Sequence, residues 1–343
     1  MLAIFPGCAY LLGSWYTRKE AQKRFSFYLS MVNLSTGFGG LIAAAIGKID
    51  GACELAGWRW IFIIEGMLTC VVALGCYGLL PNFPEQAKWL TAEEREFVQV
   101  RLRAEQGSSA LEQRITARDA WEVVKDPRVI LAALIHLAIS VPGAMGAFFA
   151  PTIVENIGDY SPIETQLRTV PVWMVAFALT LLVAYASDMV QNRYGAALFC
   201  CIVGITGYAM LFEIFGNVQA RYAGLFLAIS GVSAMMPVEI CWNTMNLGGH
   251  QRRAIGSAWQ VSFGNVGGII GTYAFRQQDA PRFQLSYAVA IMFTCLAVMF
   301  CTMYAGWCWW LNRQRAHKEW GSGMSEEEKD RLGDKSPSYR LML

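Results

Sequence analysis

Runs of about twenty apolar residues, long enough to cross a bilayer core of roughly 30 Å as helices, recur along this chain. They lie at 25–47, 60–80, 128–150, 169–187, 195–215, 222–246, 254–275 and 285–311. Inside hydrocarbon a backbone must satisfy its own hydrogen bonds, which restricts each run to a helix. Residues 1–13 are apolar but too short to span, and read as the end of a further run. The fold class is therefore all-α: a polytopic membrane protein with about eight full spans plus a fragment of a ninth.

Composition agrees. The chain is 55% apolar and 16% charged, where a soluble domain carries about a quarter charged residues. A net charge of +2 offers no basic surface for nucleic acid. Most of the ten cysteines lie inside apolar runs, with no CxxC and no Cys/His ligand spacing. They read as small hydrophobes, so no metal and no cofactor are expected. The apolar start has neither a preceding basic segment nor a small-residue cleavage site, unlike a signal peptide.

If the spans alternate, Arg18, Lys19, Lys23, Arg24, Arg193, His250, Arg252, Arg253, Arg313, Arg315 and Lys318 share one side. An excess of Lys and Arg in short loops marks the cytoplasmic face, which would also hold the carboxyl terminus. The opposite loops carry Asp50, Glu54, Glu155, Asp159, Glu164 and Asp279. Residues 81–127 are dense in charge and form a long loop on the basic side. Within it Thr91 and Glu94 have capping-box spacing for a helix at 92–106. A second short helix at 116–125 ends before Pro127.

Few polar residues sit at membrane depth, and each has two readings. Glu239 lies inside a span two residues after Pro237, where an ionisable group costs about 2.5–3.5 kcal/mol. It is either a proton-coupling or substrate-orienting carboxylate, or a paired structural one. His136 can carry a proton, or it can be a satisfied packing histidine. Asn243 and Asn246 share a helical face with Trp242. They are candidates for binding a substrate carboxylate or amide, or for interhelical bonds worth about 0.6 kcal/mol. Phe148 and Phe149, beside Pro151, can stack on a planar substrate or belong to an aromatic belt. Gly264, Gly267, Gly268 and Gly271 give one helix a smooth face for close packing, and Asn265 beside them reads as packing.

Several motifs resemble the major facilitator superfamily, and within it the fungal allantoate permease group of anion:cation symporters. They are FPG at 5–7, GWRWIFIIEG at 57–66, LPNFPEQAKWLTAEER at 80–95, FFAPTIVENIG at 148–158 and QLRTVPVW at 166–173. NxxNLGGHxRRA at 243–254 and GNVGGIIGTYAF at 264–275 are the strongest, and the order and spacing of the set make the resemblance specific. SDMVQNR at 187–193 is similar to the superfamily's D-x-x-x-x-R loop, which implies a gating latch between Asp188 and Arg193.

The resemblance implies twelve spans, of which the first three and most of the fourth lie outside this sequence. Residues 1–80 would be the remainder of an amino-terminal bundle, 81–127 an inter-bundle loop, 128–312 a carboxyl-terminal six-helix bundle and 313–343 a disordered cytoplasmic tail. It also implies a plasma-membrane secondary transporter taking up a small organic anion or vitamin-like carboxylate with protons, by alternating access. The competing reading is a non-transporting membrane sensor, or an inactive fragment of such a carrier. An enzyme is not expected, because no nucleophile, acid–base pair or ligand set clusters at one depth.

Overall fold

In the computed structural model the described residues are 18–80, 83–84, 87, 89–106, 117–158, 160–248, 250–280, 282–317 and 339–343, with Cys8, Leu11, Trp15 and Tyr16. The described residues form ten α-helices and two short 3-10 turns, with no strand. The helices are α1 (Arg18–Gly47), α2 (Gly57–Leu79), α3 (Ala92–Gln106), α4 (Ala117–Val124), α5 (Pro127–Gly158), α6 (Pro162–Val190), α7 (Arg193–Glu213), α8 (Val218–Asn246), α9 (His250–Ala274) and α10 (Gln284–His317). The opening fragment at 1–13 lies almost entirely outside the described residues.

Local chemistry fixes several helix starts. The Ser161 hydroxyl accepts from the Glu164 amide while the Glu164 carboxylate reaches back to Ser161, and Pro162 begins α6. Asn192 and Asn217 cap α7 and α8, accepting from Gly195 at 2.8 Å and Ala220 at 3.1 Å. The Thr91–Glu94 capping box opens α3.

Seven of these helices are long and apolar enough to cross a membrane: α1, α2, α5, α6, α7, α8 and α10. The expected span at 254–275 is α9, whose 25 residues suffice in length but not in hydropathy. Gly256, Gly264, Gly267, Gly268 and Gly271, with Gln260, Ser262 and Asn265, dilute its apolar content. It packs into the bundle nonetheless, lying along α5.

Helices α5 and α8 form the interior. α5 packs on α9, α10 and α8, while α8 packs on α7, α6 and α5. Two crossings bring backbones together through glycine. A Cβ at Gly267 would lie 2.3 Å from the Leu137 carbonyl of α5, and one at Gly231 of α8 would lie 2.4 Å from the Gly204 amide of α7. Outside this bundle, α1 lies along α6, where Gly37 fits against Trp173 and the Asn33 amide donates to Thr180 at 3.1 Å. α2 contacts α1, and its apolar surface is otherwise exposed.

The tail differs from expectation. Tyr339–Leu343 are packed against the basic end of the bundle, with Leu341 buried, while 318–338 lie outside the described residues.

Candidate functional site

The bundle interior holds a chain of buried polar side chains drawn from three helices. Glu239 of α8 is 2% exposed, and each of its carboxylate oxygens has a partner. Oε1 meets Nδ1 of His136 from α5 in a short contact, and Oε2 accepts from the Gln260 amide of α9 at 2.5 Å. The Gln260 oxygen then accepts from the Asn243 amide at 2.7 Å. Asn243 is one helical turn beyond Glu239 on α8, so both face α9.

Helix geometry explains the meeting. His136 is eight residues into α5 from Arg128, Glu239 seven before the end of α8, and Gln260 seven after Arg253 in α9. At 1.5 Å per residue all three lie about 10–12 Å inside the bundle. Gly264 makes room for the imidazole, since a Cβ there would touch its ring at 2.1 Å.

A carboxylate and an imidazole in contact, shielded from water, can hold one proton between them and pass it to either partner. Asn243 Oδ1 is buried without a hydrogen-bond partner, an acceptor still open at the end of the chain. Among the described residues no three His, Cys, Asp or Glu are grouped to hold a metal ion.

Other candidates lie elsewhere. Asn246 sits at the basic end of α8, where its amide engages Tyr304 and the backbone of Met342. Phe149 stacks on Phe275 at 4.2 Å, and Phe275 on Phe283 at 4.5 Å, at the opposite end of the bundle. Phe148 is 66% exposed and points away from that stack, because consecutive residues diverge by about 100° on a helix. Asp188 and Arg193 meet at 2.5 Å, and Arg193 also donates to Ser187 at 2.7 Å. Gly264, Gly267 and Gly271 line the α5 contact, whereas Gly268 faces no atom within 4 Å. Asn265 is exposed and bonds back to Val261 of its own helix instead of packing.

The basic turn also folds inward. Asp126 accepts from Arg128 at 2.6 Å and Arg252 at 2.7 Å, and Arg253 donates to the Leu247 carbonyl at 2.8 Å. Burial alone would raise the Asp126 carboxyl, but bonding and charge from Arg128, then charge from Arg252, hold it below its usual range. Gln260 is the one network member the sequence reading passed over. Its signal was a carboxamide at membrane depth on the glycine-lined helix, at the level of Glu239.

Comparison with known proteins follows the same fold. The chain is 29% identical to the MFS-type transporter cnsO of Penicillium expansum, over 99% of this chain and 68% of that protein. It is 33% identical to the MFS transporter prlL of a fungal species, over 81% and 56%. It is 25% identical to the high-affinity nicotinic acid transporter of Saccharomyces cerevisiae, over 99% and 63%. The chain thus spans between 56% and 68% of the length of these relatives. Its fold is similar to that of the proton:xylose symporter XylE, with a TM-score of 0.61 at 14% identity, covering 86% of this chain and 65% of that one. A family model described as Major Facilitator Superfamily matches residues 1–272. The chain is an integral membrane protein and belongs to the major facilitator superfamily.

Proposed function

We propose that this chain acts in secondary transport, coupling protons to the uptake of a small organic anion of the vitamin-like carboxylate class. The observation that carries the coupling is the buried Glu239–His136 contact, extended through Gln260 to Asn243. An intramembrane ionisable pair is costly to bury and is characteristic of proton relays. Protonation of the pair would alter the bond to Gln260 and with it the tie between α8 and α9, linking proton occupancy to helix arrangement.

The substrate class rests on the nicotinic acid transporter among the relatives and on the allantoate permease motifs, chiefly NxxNLGGHxRRA at 243–254. Asn243, with its open acceptor, is the substrate-facing candidate nearest the relay. Phe149 belongs to the far end of the path. Asp188 and Arg193 serve as the gating latch of the basic end, which we place in the cytoplasm of a plasma-membrane protein.

The test is uptake of labelled carboxylates, nicotinate and allantoate among them, at pH 5 and pH 7 in transporter-deficient cells. The chain is expressed alone and joined behind the upstream residues of a full-length relative, each with and without Glu239→Gln. Uptake that rises at acid pH and loses its pH dependence in the variant supports the reading. If neither form moves any substrate despite reaching the surface, transport is rejected and a membrane sensor takes its place.

A further inference from the structure

The segment Tyr339–Leu343 is held at the basic end of the bundle by a set of bonds to its backbone, joined by the Tyr339 hydroxyl and the buried Leu341 side chain. Asn312 of α10 clasps Leu341, accepting from its amide at 3.0 Å and donating to its carbonyl at 2.8 Å. Asn246 of α8 clasps Met342 in the same way, at 2.7 Å and 3.1 Å. The Trp242 indole adds a second donor to the Met342 carbonyl at 3.0 Å, and the Arg193 amide of α7 donates to the Leu343 carbonyl at 2.7 Å. Tyr339 donates its hydroxyl to the Met245 carbonyl at 2.6 Å, and Arg315 donates to the Tyr339 carbonyl at 2.6 Å. Three helix ends are tied by one short segment.

What lies beneath is the polar face of α8. Asn246, Asn243 and Glu239 follow one another at spacings of three and four, so they form one stripe running inward from the segment. Asn246 is 1% exposed, and beside it Tyr304 and Cys308 are buried. Leu341 packs into the same apolar cluster as Trp242, Tyr304 and Cys308.

We infer that Tyr339–Met342 is a detachable plug, seated by Asn246 and Asn312, that closes the basic end of the bundle over the stripe leading to Glu239. The seating bonds are individually no stronger than other intramolecular hydrogen bonds. A segment held by a handful of them opens locally without unfolding the bundle. Because the two asparagines read only backbone, a free peptide of the same sequence competes for the seat. A segment carried on the same chain outcompetes a free peptide through its high effective concentration. While seated, the plug keeps the Asp188–Arg193 latch tied to α8 and α10, and restrains the parting of these helix ends.

Cys308 reports on the seat independently of any transport. The test is alkylation of the purified protein in lipid nanodiscs by a water-soluble maleimide, with modification at Cys308 followed by peptide mass mapping. The substitution Met342→Pro removes the N–H that Asn246 accepts, together with the Met342 side-chain packing, and changes no residue of the helices. Truncation before Tyr339 removes the plug altogether. Both should raise the Cys308 rate roughly tenfold or more, as expected when a local opening loses one or more hydrogen bonds. Millimolar Tyr-Arg-Leu-Met-Leu peptide should return the truncated protein toward the slow rate, while a scrambled, proline-containing peptide should not. If Met342→Pro melts like the parent and leaves Cys308 as slow as before, the plug is overturned. A truncated chain that labels fast but ignores the peptide overturns the backbone-reading seat.

Discussion

Gln260 donates to Glu239 at 2.5 Å and accepts from Asn243 at 2.7 Å, so one carboxamide on α9 spans a full turn of α8. Replacing it with leucine keeps the volume but strands a buried carboxylate oxygen and a buried amide. Orphaned buried polar groups cost about 1–3 kcal/mol each. Gln260→Leu should therefore lower the melting temperature in detergent. In a double-mutant cycle with Asn243→Ala, coupled residues should depart from additivity by about 0.5–3 kcal/mol. Strict additivity would mean the bridge is not energetically real.

The two partners of the short contact should behave differently when changed singly. Glu239→Gln retains shape and hydrogen bonding to Gln260 but no longer carries a titrating carboxyl, so the fold should survive while pH-dependent uptake disappears. Glu239→Ala leaves His136 and Gln260 without their shared acceptor and should destabilise by about 1–3 kcal/mol. Comparing thermal melts with uptake at two pH values separates these outcomes. A Glu239→Gln protein that retains full pH dependence removes this carboxylate from the coupling path.

Adjacent glycines in α9 offer an internal control. A methyl group at Gly267 would lie 2.3 Å from a backbone carbonyl of α5, which cannot swing aside, whereas one at Gly268 meets nothing within 4 Å. Gly267→Ala should destabilise by about 1–3 kcal/mol, as overpacking of a tight contact does. Gly268→Ala should stay within about 0.5 kcal/mol of the parent, as substitutions away from packed features do. Equal effects on melting would show that α5 and α9 have room for a methyl group at Gly267.

What the sequence disclosed follows the range of the forces involved. Apolar runs, proline positions and cap residues such as Thr91 and Glu94 act within a few residues, and they gave the helices directly. Glu239 was conspicuous because burying a charge is costly wherever it occurs. Its pairing with His136 and Gln260 was not, since those contacts depend on how α8 crosses α5 and α9. The Met342 partner of Asn246 was hidden for a related reason, since it lies nearly a hundred residues away in the chain. The polar composition around 321–338 hid the short, partly apolar segment at 339–343 that docks. Phe148 and Phe149, adjacent in sequence, were separated by helical rotation alone.

The last prediction concerns acid. Asp126 accepts from Arg128 and Arg252, joining the start of α5 to the start of α9, and its carboxyl is held below its reference value of 3.8. Burial opposes this shift, but Arg128 and Arg252 outweigh it. With the folded value depressed, the ionised carboxylate stabilises the fold fully above the unfolded value, near pH 4. That contribution is lost as pH falls through the lower folded value. Asp126→Asn cannot titrate and deprives two guanidinium groups of a shared acceptor. At pH 7 the parent should melt higher than Asp126→Asn, and the gap should close as pH falls below about 4. Hydrogen exchange near Arg252 should rise in step with that closing gap. A gap that stays constant to low pH would show that Asp126 is no clamp, and that the basic turn is held by the Arg253–Leu247 bond and packing instead.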